Sequence, residues 1–537
     1  MKSVYKNILR KKHFRRLRIT LKGAKKLREE GRPHIIEQVI SDLTVIPLNI
    51  QEKEISKTLV GSHRNIGEIL LRQILFNNAK LIAHQLIQSI GSQKPAVVPL
   101  PIPWIRLLES KGFNINRFSS KVALYRYSLY CVIKGIAKTI LLTYESKISH
   151  RIEKPYAVFI GLSRNNLPLS GSQEHNTLIS WFNNSNLKRS NIKEIWAQVR
   201  GDKIDQIVSD VIKVSKNIFP NYNSWLIYII FICKSIFSLS VSFLGLLRGR
   251  WWYGLLYDES VYFNYVSLCN REDLAKDYFF HGEYHCYKPL WTYEAESKGS
   301  QVNYYYYSVN METFNYKGYK KNDHYGFKIF KWNNIIVWDK QQKEYVEQYR
   351  SNAKFQIVGA IPFSDNGLNI IKHNSRIIIA VFDVTPTRPT FYTQLGYAKS
   401  PYWSTNLSMK FFSDIGSLKN KNDITIFWKK KRLHETNFTD RGYIKKLYQF
   451  IDEIDVISID PGISAHRIIK MCDLVISMPF TSTAIIAKEM GKPSIYYDAL
   501  GSIEINTSHG IPVIKSKTEL RGWYYSLNIE KAISNNA

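Results

Sequence analysis

The sequence predicts an α/β protein whose last third forms a parallel sheet covered by helices. Between residues 376 and 497, short apolar runs typical of buried strands alternate with helical segments, and the connecting loops are short. This alternation indicates βαβ units, whose strands are parallel. The chain has 537 residues, of which 45% are hydrophobic and 22% are charged. That composition is typical of globular proteins, and the length favours two or three domains.

Residues 1–150 are predicted to form a basic, helical region that associates with membranes. Lysine and arginine occupy eleven of the first 26 positions, and no acidic residue occurs there. The stretch lacks a long apolar core and a small-residue cleavage site, so we do not expect a secretory signal. A basic arm of this kind is either solvated or attracted to anionic lipid. Val122–Tyr144 is predicted to be an amphipathic helix, either packed on a neighbour or facing a membrane.

Residues 151–350 are predicted to form a first α/β domain. Tyr156–Leu162 (YAVFIGL) is an apolar run typical of a buried parallel strand. Glu174–Asn183 is predicted to be a helix, with Ser172 as its N-cap. The region 264–350 is rich in tyrosine, and its pattern assigns no secondary structure. We expect those aromatic side chains to fill an edge of the domain.

Trp225–Leu247 is an apolar insertion in this first domain. It has 23 residues and one charge, Lys234, so its length is sufficient to span a bilayer. A lysine at mid-membrane costs about 2.5–3.5 kcal/mol, and four serines weaken the case further. Arg248 and Trp251 follow closely, and such residues favour the headgroup level. A helix lying in the membrane interface therefore fits better, with a buried core helix as the alternative.

Residues 351–537 are predicted to form a second α/β domain. Its strands are expected at Arg376–Phe382, Ile424–Trp428, Val456–Ile459, Leu474–Met478 and Ser494–Tyr497. Its helices are expected at Asn406–Ile415, Gly442–Glu453, Ile463–Met471 and Ser482–Met490. Right-handed crossovers place the carboxyl ends of these strands, and therefore the ligand, at one edge of the sheet.

The charge of the chain indicates an anionic partner. Lysine and arginine number 75 against 44 aspartate and glutamate residues, a net charge of +31. Such a surface attracts nucleic acid, anionic lipid or phosphorylated substrates. No zinc-finger spacing and no aromatic RNA-binding signature occurs, so nucleic acid is the least favoured of the three. The five cysteines form no CxxC pair, so we expect neither a disulfide scaffold nor a structural zinc site.

The most informative run is Asp473–Asp498, DLVISMPFTSTAIIAKEMGKPSIYYD. A strand stops at Pro479, and three hydroxyl residues then begin a helix: Thr481, Ser482 and Thr483. Helix N-termini bind phosphate through unpaired N–H groups and the helix dipole. Glu489, two turns later, is placed to accept hydrogen bonds from ribose or sugar hydroxyls. The alternative is an ordinary helix cap made by the same residues.

Neighbouring strand ends carry further polar groups. Lys429–Arg432 follows one predicted strand, and Lys429, Lys431 and Arg432 are the cations expected to bind a diphosphate or nucleotide phosphate. Asp460 and Pro461 end the next strand, and Asp383 ends an earlier one. Because parallel strands share their carboxyl edge, we expect these groups to converge on one donor site.

These motifs resemble a known family. Pro479-Phe480-Thr481-Ser482 matches the motif for which a family of polysaccharide-biosynthesis proteins, encoded with bacterial O-antigen and surface-glycan genes, is named. Val381–Pro386 (VFDVTP), Ile459–Gly462 (IDPG) and His175–Phe182 (HNTLISWF) also look like that family. More broadly, the last third is similar to the donor-binding half of GT-B glycosyltransferases and to bacterial sialyl- and Kdo-type transferases, whose Ser/Thr pair holds the CMP phosphate.

The resemblance implies a GT-B-like fold: two Rossmann-like domains facing a cleft, here with additional N-terminal helices. The first domain would bind the acceptor and the second the nucleotide sugar, which is a substrate rather than a cofactor. Neither a cofactor nor a metal ion is implied. Sialyl- and Kdo-type enzymes carry His-Pro where this chain has Asp460-Pro461, so the donor nucleotide stays open, with a CMP-linked ulosonic acid as one candidate.

An inverting enzyme with this architecture needs a general base from the first domain. Glu174 and His175 lie where a loop meets a helix after the Tyr156–Leu162 strand, and they are the predicted catalytic residues. Asp258 and Glu259 are the rivals. The leaving phosphate would be stabilised electrostatically by the strand-end cations and by the helix that begins at Ser482.

We therefore expect a glycosyltransferase of surface polysaccharide biosynthesis, of the O-antigen or capsule type. Its expected partners are a nucleotide-sugar donor, a glycan or lipid-linked glycan acceptor and an anionic membrane surface, and not nucleic acid. The expected location is the cytoplasm, peripherally bound at the inner face of the bacterial plasma membrane. Two alternatives stay open: a pyruvyl or polyol-phosphate transferase on the same scaffold, and a basic nucleic-acid-binding protein.

Overall fold

The described part of the chain contains two mainly parallel sheets and a group of helices that precedes the first sheet. A computed structural model describes residues 2–145, 153–168, 177–200, 206–209, 211–215, 217–282, 287–309, 315–317, 319–320, 325–370, 377–386, 404–419, 424–430, 439–454 and 456–527.

The N-terminal region is helical, as its sequence predicts. Its helices are α1 (Lys2–Glu29), α2 (Ile35–Leu43), α3 (Lys57–Val60), α4 (Gly67–Phe76), α5 (Ala79–Ser92), α6 (Ile102–Ser110) and α7 (Arg117–Glu145). Helix α1 packs on α5 where Gly23 and Gly91 meet, and a Cβ atom at either glycine would overlap the backbone of the opposite helix. These helices share one hydrophobic core with a face of the first sheet.

The first sheet contains eight strands in the order β10-β9-β6-β5-β1-β2-β4-β3. Its strands, with the small β7–β8 hairpin that lies outside it, are β1 (Tyr156–Leu162), β2 (Glu194–Val199), β3 (Gln206–Ile207), β4 (Ile212–Val214), β5 (Asp277–Gly282), β6 (Gln301–Tyr306), β7 (Asn315–Tyr316), β8 (Tyr319–Lys320), β9 (Asn334–Val337) and β10 (Lys354–Ile357). All neighbouring pairs are parallel except β3–β4. The order of the parallel strands reverses between β1 and β5, which is the switch point of a doubly wound sheet.

Five helices belong to this part of the chain: α8 (Leu178–Asn184), α9 (Trp225–Leu247), α10 (Trp252–Leu268), α11 (Leu290–Ser297) and α12 (Lys340–Glu347). Helix α8 begins at Leu178 after the N-cap Thr177, later than the predicted Glu174, and Ser172 lies outside the described residues. Helix α9 has the predicted bounds. Within the described ranges, it is the one helix that is long and apolar enough to cross a bilayer.

The second sheet has the Rossmann strand order. Its strands are β11 (Ile377–Phe382), β12 (Ile424–Lys429), β13 (Ile457–Ile459), β14 (Leu474–Ser477), β15 (Ser494–Tyr497), β16 (Thr507–Ser508) and β17 (Ile511–Ile514). Its helices are α13 (Thr405–Gly416), α14 (Arg441–Ile454), α15 (Ala465–Met471), α16 (Thr483–Glu489) and α17 (Lys517–Ser526). The order β13-β12-β11-β14-β15-β17-β16 reverses between β11 and β14, and every neighbouring pair except β16–β17 is parallel.

The two sheets meet at a cleft formed by their carboxyl edges. The connection after β10, residues 358–370, touches both: the amide of Asp365 donates to the Asn165 carbonyl at 2.9 Å, and the amide of Asn366 donates to the Gly462 carbonyl at 2.9 Å. One hydrophobic core includes side chains from both sheets. The predicted fold class is confirmed: two Rossmann-like units face a cleft, and additional helices precede them.

Candidate functional site in the cleft between the two sheets

The loop Pro479–Thr483, called the 479–483 loop below, joins β14 to α16 with a left-handed turn. Phe480 has a φ of +61°, a conformation that is costly for a bulky residue and that redirects the chain into the helix. The Thr481 hydroxyl donates to the Met478 carbonyl at 2.9 Å, and the Thr483 hydroxyl lies 2.8 Å from the Ser477 hydroxyl. Thr481 is buried. The Thr481 hydroxyl therefore fastens the loop to the strand, and the predicted contact of Thr481, Ser482 and Thr483 with a phosphate stays a prediction.

Ser482 is the hydroxyl residue of this loop that faces the other domain. It occupies the N-cap position of α16, but its side chain makes no capping hydrogen bond. Its Oγ instead accepts a hydrogen bond from the backbone N–H of Val309, three residues after β6 of the first sheet, at 3.2 Å. An ordinary helix cap would bond within its own helix. Ser482 therefore lies at the surface where the two domains meet.

Each sheet has a switch point, and polar or aromatic groups follow the strands there. Ligands of doubly wound sheets bind at such points, where neighbouring loops diverge and leave a crevice. In the second sheet, the 479–483 loop leaves one of the two strands at the switch point. In the first sheet, the corresponding strands end at Leu162 and Gly282. His281, the penultimate residue of β5, lies beside Gly161, where an added Cβ would be 3.7 Å from its ring.

His281 belongs to an aromatic wall of the cleft. Its ring centroid lies 5.8 Å from that of Tyr307 and 5.3 Å from that of Phe363, and the rings of Tyr307 and Phe363 stack at 4.6 Å. The Arg200 guanidinium also lies beside Gly161, which has a φ of +77°: a Cβ atom added at Gly161 would be 3.3 Å from it. An imidazole, a guanidinium and stacked aromatic rings thus surround the first switch point. These groups can hold a sugar ring and exchange a proton with it.

Asp460, Pro461 and Gly462 form a loop at the end of β13, which is called the 460–462 loop below. The Asp460 carboxylate accepts hydrogen bonds from the Gly462 amide at 2.7 Å and from the Asn366 side chain at 2.9 Å. Lys429, at the end of β12, donates to the Pro461 carbonyl at 3.1 Å. The structure therefore brings together the predicted residues Lys429, Asp460 and Pro461 at neighbouring strand ends.

Asp383 does not belong to the donor site, contrary to the expectation from the sequence. The residue follows β11, as expected, but it is buried and its carboxylate accepts from Trp428 Nε1 at 3.1 Å and from the Tyr443 hydroxyl at 2.7 Å. Burial, and then the neighbouring Asp383 charge, raise the pKa of Tyr443 well above its ordinary value. Asp383 therefore holds a strand and α14 together beneath the edge and does not face the cleft.

Glu489 makes a hydrogen bond to the segment that connects the two domains. Its Oε2 accepts from the backbone N–H of Ala360 at 2.6 Å, next to Gly359, which has a φ of +80°. Partial burial raises the pKa of Glu489, and the bond from Ala360 opposes that shift. One carboxylate oxygen is thus committed to the protein, while the predicted contact with sugar hydroxyls stays a prediction.

A second interdomain contact was not predicted from the sequence. His509 Nδ1 lies 2.5 Å from the carboxylate of Asp339, which caps α12 of the first domain, and the His509 amide donates to Gln341 Oε1 at 2.5 Å. Lys488 of α16 donates to the His509 carbonyl at 2.6 Å. Burial tends to raise the pKa of Asp339, but the hydrogen bond and charge of His509 outweigh it, so this pKa is lowered. These contacts link the site helix to the opposite domain.

Several predicted residues lie outside the described ranges. These are the proposed catalytic pair, Glu174 and His175, and two of the proposed phosphate ligands, Lys431 and Arg432. Lys430, which is described, lies 5.4 Å from the ring centroids of both Trp428 and Tyr448.

The alternative prediction that Asp258 or Glu259 acts as the general base is wrong. Both lie on α10 and are buried. Asp258 pairs with Lys134 at 2.8 Å and Lys138 at 2.6 Å, while Glu259 accepts from the Tyr287 hydroxyl and from the Leu290 amide. They stabilise the packing of helices and lie away from the cleft.

The dimensions of the edge fit an extended anion. Asp460 and Ser482 follow strands three positions apart in the sheet, so about 14 Å separates them at the usual strand spacing. A single phosphate cannot contact both residues, whereas a nucleoside phosphate joined to a sugar can extend between them. No three histidine, cysteine, aspartate or glutamate side chains converge as a metal site within the part of the chain that the structure describes.

Comparison with known proteins supports a family assignment. A family model described as polysaccharide biosynthesis PFTS motif protein matches residues 231–524, which include most of α9 and the whole second sheet. No curated protein matches the chain.

Solved structures show distant similarity. The complex of HepE from Anabaena with UDP and glucose is 12% identical, with a TM-score of 0.28, and the match covers 49% of this chain and 70% of HepE. The lipopolysaccharide outer core galactosyltransferase WaaB in its apo form is 12% identical, with a TM-score of 0.32, over 71% of this chain and 91% of WaaB. TM-scores this low support no inference about what the present chain binds.

Proposed function

Because the chain belongs to the polysaccharide biosynthesis PFTS motif family, we propose that it is a glycosyltransferase that moves a sugar from a nucleotide donor to a growing glycan. The observation that carries this proposal is the contact between the carboxyl ends of the two sheets. The backbone of the first domain donates to Ser482 of the motif across the cleft. A ligand bound at the carboxyl edge of one sheet is therefore close to a ligand bound at the carboxyl edge of the other.

The donor is assigned to the second domain. Its phosphate would lie at Ser482, with backbone N–H groups of the 479–483 loop directed at the anion, and Lys429 would contact the nucleotide end, because its ammonium donates to the Pro461 carbonyl. Lys431 and Arg432 are proposed to complete this site, since they continue the chain beyond Lys429. The Asp460–Pro461 segment would contact the nucleotide end. A CMP-linked ulosonic acid is the proposed donor, on the strength of the Ser/Thr arrangement shared with sialyl- and Kdo-type transferases.

The proposed chemistry is a direct displacement at the anomeric carbon. The acceptor oxygen forms a bond to that carbon, the bond to the donor phosphate breaks, and the electron pair leaves with the phosphate. Cations and oriented N–H groups stabilise the departing charge, so the chain itself supplies electrostatic help without a cofactor. The acceptor proton passes to a base of the first domain. Among the described residues, His281 is proposed for this role, and Glu174 and His175 stay as predicted candidates.

The acceptor is assigned to the first domain. The stacked pair Tyr307 and Phe363 offers the flat apolar surface on which a sugar ring packs. We take the acceptor to be a lipid-linked glycan of O-antigen or capsule type, handled at the inner face of the bacterial plasma membrane, because the chain is strongly basic and carries the apolar helix α9.

A nucleotide panel tests the donor assignment. Thermal unfolding should be shifted upward by one class of compound among CMP, UDP, GDP and dTDP derivatives, because a ligand of the native state stabilises it. Ser482→Ala should lower kcat/KM for sugar transfer at least about tenfold, whereas Ser526→Ala, which removes an exposed hydroxyl bonded within its own helix, should leave it unchanged. Equal activity in Ser482→Ala and wild type would contradict the site. Transfer of pyruvyl or polyol-phosphate groups, with no sugar transfer, would replace the proposed reaction.

The base is tested separately. His281→Gln and His281→Ala should lower kcat by about a hundredfold or more and remove the acidic limb of the pH–rate profile. If the His281 variants keep the acidic limb, His281 is not the base. The same measurement on Glu174 and His175 variants then tests those two residues.

A further inference from the structure

Helix α9 is packed with its small side chains inward. Its buried residues are mainly Ser235, Ser238, Ser242 and Gly245, while large apolar side chains face outward. The Ser242 hydroxyl donates to the Tyr253 carbonyl at 2.9 Å, and Asn264 donates to Ser238 Oγ at 3.0 Å. A core helix of a soluble domain buries its large apolar residues instead. The outward face of α9 is therefore the part of the helix that lacks a protein partner within the described chain.

Helix α7 extends this face. Leu129, Ile133, Ile136 and Ile140 recur at helical spacing along one side of α7 and are exposed. Helices α7 and α9 contact each other and both pack on α10, so their outward faces are continuous. More than half of the exposed large apolar side chains among the described residues lie on these two helices. A surface patch of this kind marks an interaction site.

The charges around the patch are positive. Helix α9 contains no acidic residue, and α7 contains none before its last residue. Arg126, Lys234 and Arg248 are exposed on or beside the patch, and the acids of α10 are buried beneath it in the pairs described above. Pairing two copies through this face would bring like charges together, whereas anionic lipid headgroups would complement them.

We propose that the α7–α9 face docks into an anionic lipid leaflet, with α9 lying in the plane of the membrane rather than crossing it. Helix α10 runs antiparallel along α9, as the Ser242–Tyr253 and Ser238–Asn264 contacts show, and carries Asp258 within the same layer. A membrane-spanning α9 would carry this helix and its charge into the hydrocarbon. In the plane, the outward side chains enter the acyl region while the cations stay at headgroup level. This inference goes beyond sugar transfer and does not depend on it.

Vesicle flotation tests the face. The full chain should bind phosphatidylcholine vesicles that contain phosphatidylglycerol, bind pure phosphatidylcholine weakly, and dissociate as salt rises. Phe237→Glu and Ile140→Glu should each weaken partitioning at least about tenfold. Tyr525→Glu is the matched control, because Tyr525 is 63% exposed and Phe237 is 62% exposed, and it should bind like wild type. Wild-type binding by Phe237→Glu would overturn the proposal, as would a stable dimer in lipid-free solution that Phe237→Glu dissociates.

The in-plane orientation is tested by depth measurements. Spin labels are attached to cysteines introduced singly by Ile229→Cys, Ser240→Cys and Leu247→Cys. Cys233, which is exposed, and Cys286, which lies outside the described residues, are both replaced by serine. All three labels should lie at a similar shallow depth. A deep label at position 240 between two shallow ends would mean that α9 spans and would contradict the inference. If the wild-type chain binds vesicles but transfers no sugar, the proposed activity alone is refuted. Thermal melts of each variant show separately whether it is folded.

Discussion

Acidification should destabilise the second domain through His466. This residue lies on α15, directly after the 460–462 loop and against the interdomain connection. Burial lowers the pKa of His466 from 6.5 to about 4, and a hydrogen bond to the Ala360 backbone and the charge of Asp365 only partly oppose that shift. Its Nε2 atom is buried without a hydrogen-bond partner within the described ranges. A proton on this ring is therefore disfavoured in the folded protein and not in the unfolded chain.

The sign and the size follow from these two pKa values. Above pH 6.5 the imidazole is neutral in both states, so the full stability is present. As the pH falls from 6.5 towards 4, the unfolded chain binds a proton that the folded protein does not, and stability decreases. Each unit of pKa difference corresponds to about 1.4 kcal/mol, so a pKa lowered from 6.5 to about 4 gives a total loss of at most about 3.5 kcal/mol. Below the folded pKa, the contribution stops changing.

Denaturant unfolding at a series of pH values measures this effect. His466→Gln removes the titrating ring while keeping a polar side chain of similar size. Between pH 8 and 7 the variant and the wild type should differ by a constant amount. Below that range the wild type should lose stability faster, by up to about 1.4 kcal/mol per pH unit. Parallel stability curves down to pH 4 would refute the claim that the ring is buried and neutral.

Three further predictions concern the site. Gly462→Ala should destabilise the protein by about 1–3 kcal/mol, measured by denaturation, because the new Cβ would overlap the Asn366 amide; unchanged stability would contradict that close approach. Asp383→Ala should lower the free energy of unfolding by about 3 kcal/mol, because two buried donors lose their acceptor. The folded variant should keep its nucleotide affinity, and a selective loss of affinity would mean that Asp383 belongs to the donor site. Asp339→Asn should lower stability above about pH 4, because it weakens the pair with His509. The stability difference between variant and wild type should vanish as the pH falls below the lowered pKa of Asp339. A difference that persists at pH 2 would contradict this explanation.

Most of the second sheet could be predicted from the sequence. Buried parallel strands produce apolar runs, and the helices between them show helical spacing, so each element of residues 376–497 was expected within a few residues of its observed bounds. The carboxyl-edge rule then places Lys429, Asp460 and Ser482 on one side of the sheet without knowledge of long-range contacts. Helix α9 was found for a similar reason, because a mainly apolar run of 23 residues leaves few alternatives.

The tyrosine-rich region was not predictable in the same way. Tyr304–Tyr306 lies in β6, an interior strand, and these rings are buried, so they do not fill an edge as expected. Tyrosine has no fixed preference for interior or surface, and a strand that is buried on both faces shows no alternation. His281 was missed with this region, although a histidine at the end of the aromatic run Tyr278–Phe280 repeats the pattern seen at the other strand ends.

Contacts between distant segments account for the remaining differences. The roles of Asp258 and Asp383 depend on partners far away in the chain, such as Lys134 and Tyr443. The direction of the Thr481 hydroxyl depends on the left-handed turn at Phe480, which a sequence pattern does not reveal. Local spacing predicts where a strand ends, but it does not predict which side chains at that end face the cleft.

Hydrogen–deuterium exchange with a bound nucleotide sugar would test most directly whether the donor binds where the carboxyl ends of the two sheets meet. The compound that gives the largest thermal stabilisation is added to the full chain, and amide exchange is compared with and without it. Protection is predicted in the 479–483 loop and the 460–462 loop, together with the end of β5 around His281. Protection confined to surfaces outside this cleft, or the absence of protection in both loops of the second domain, would contradict the account.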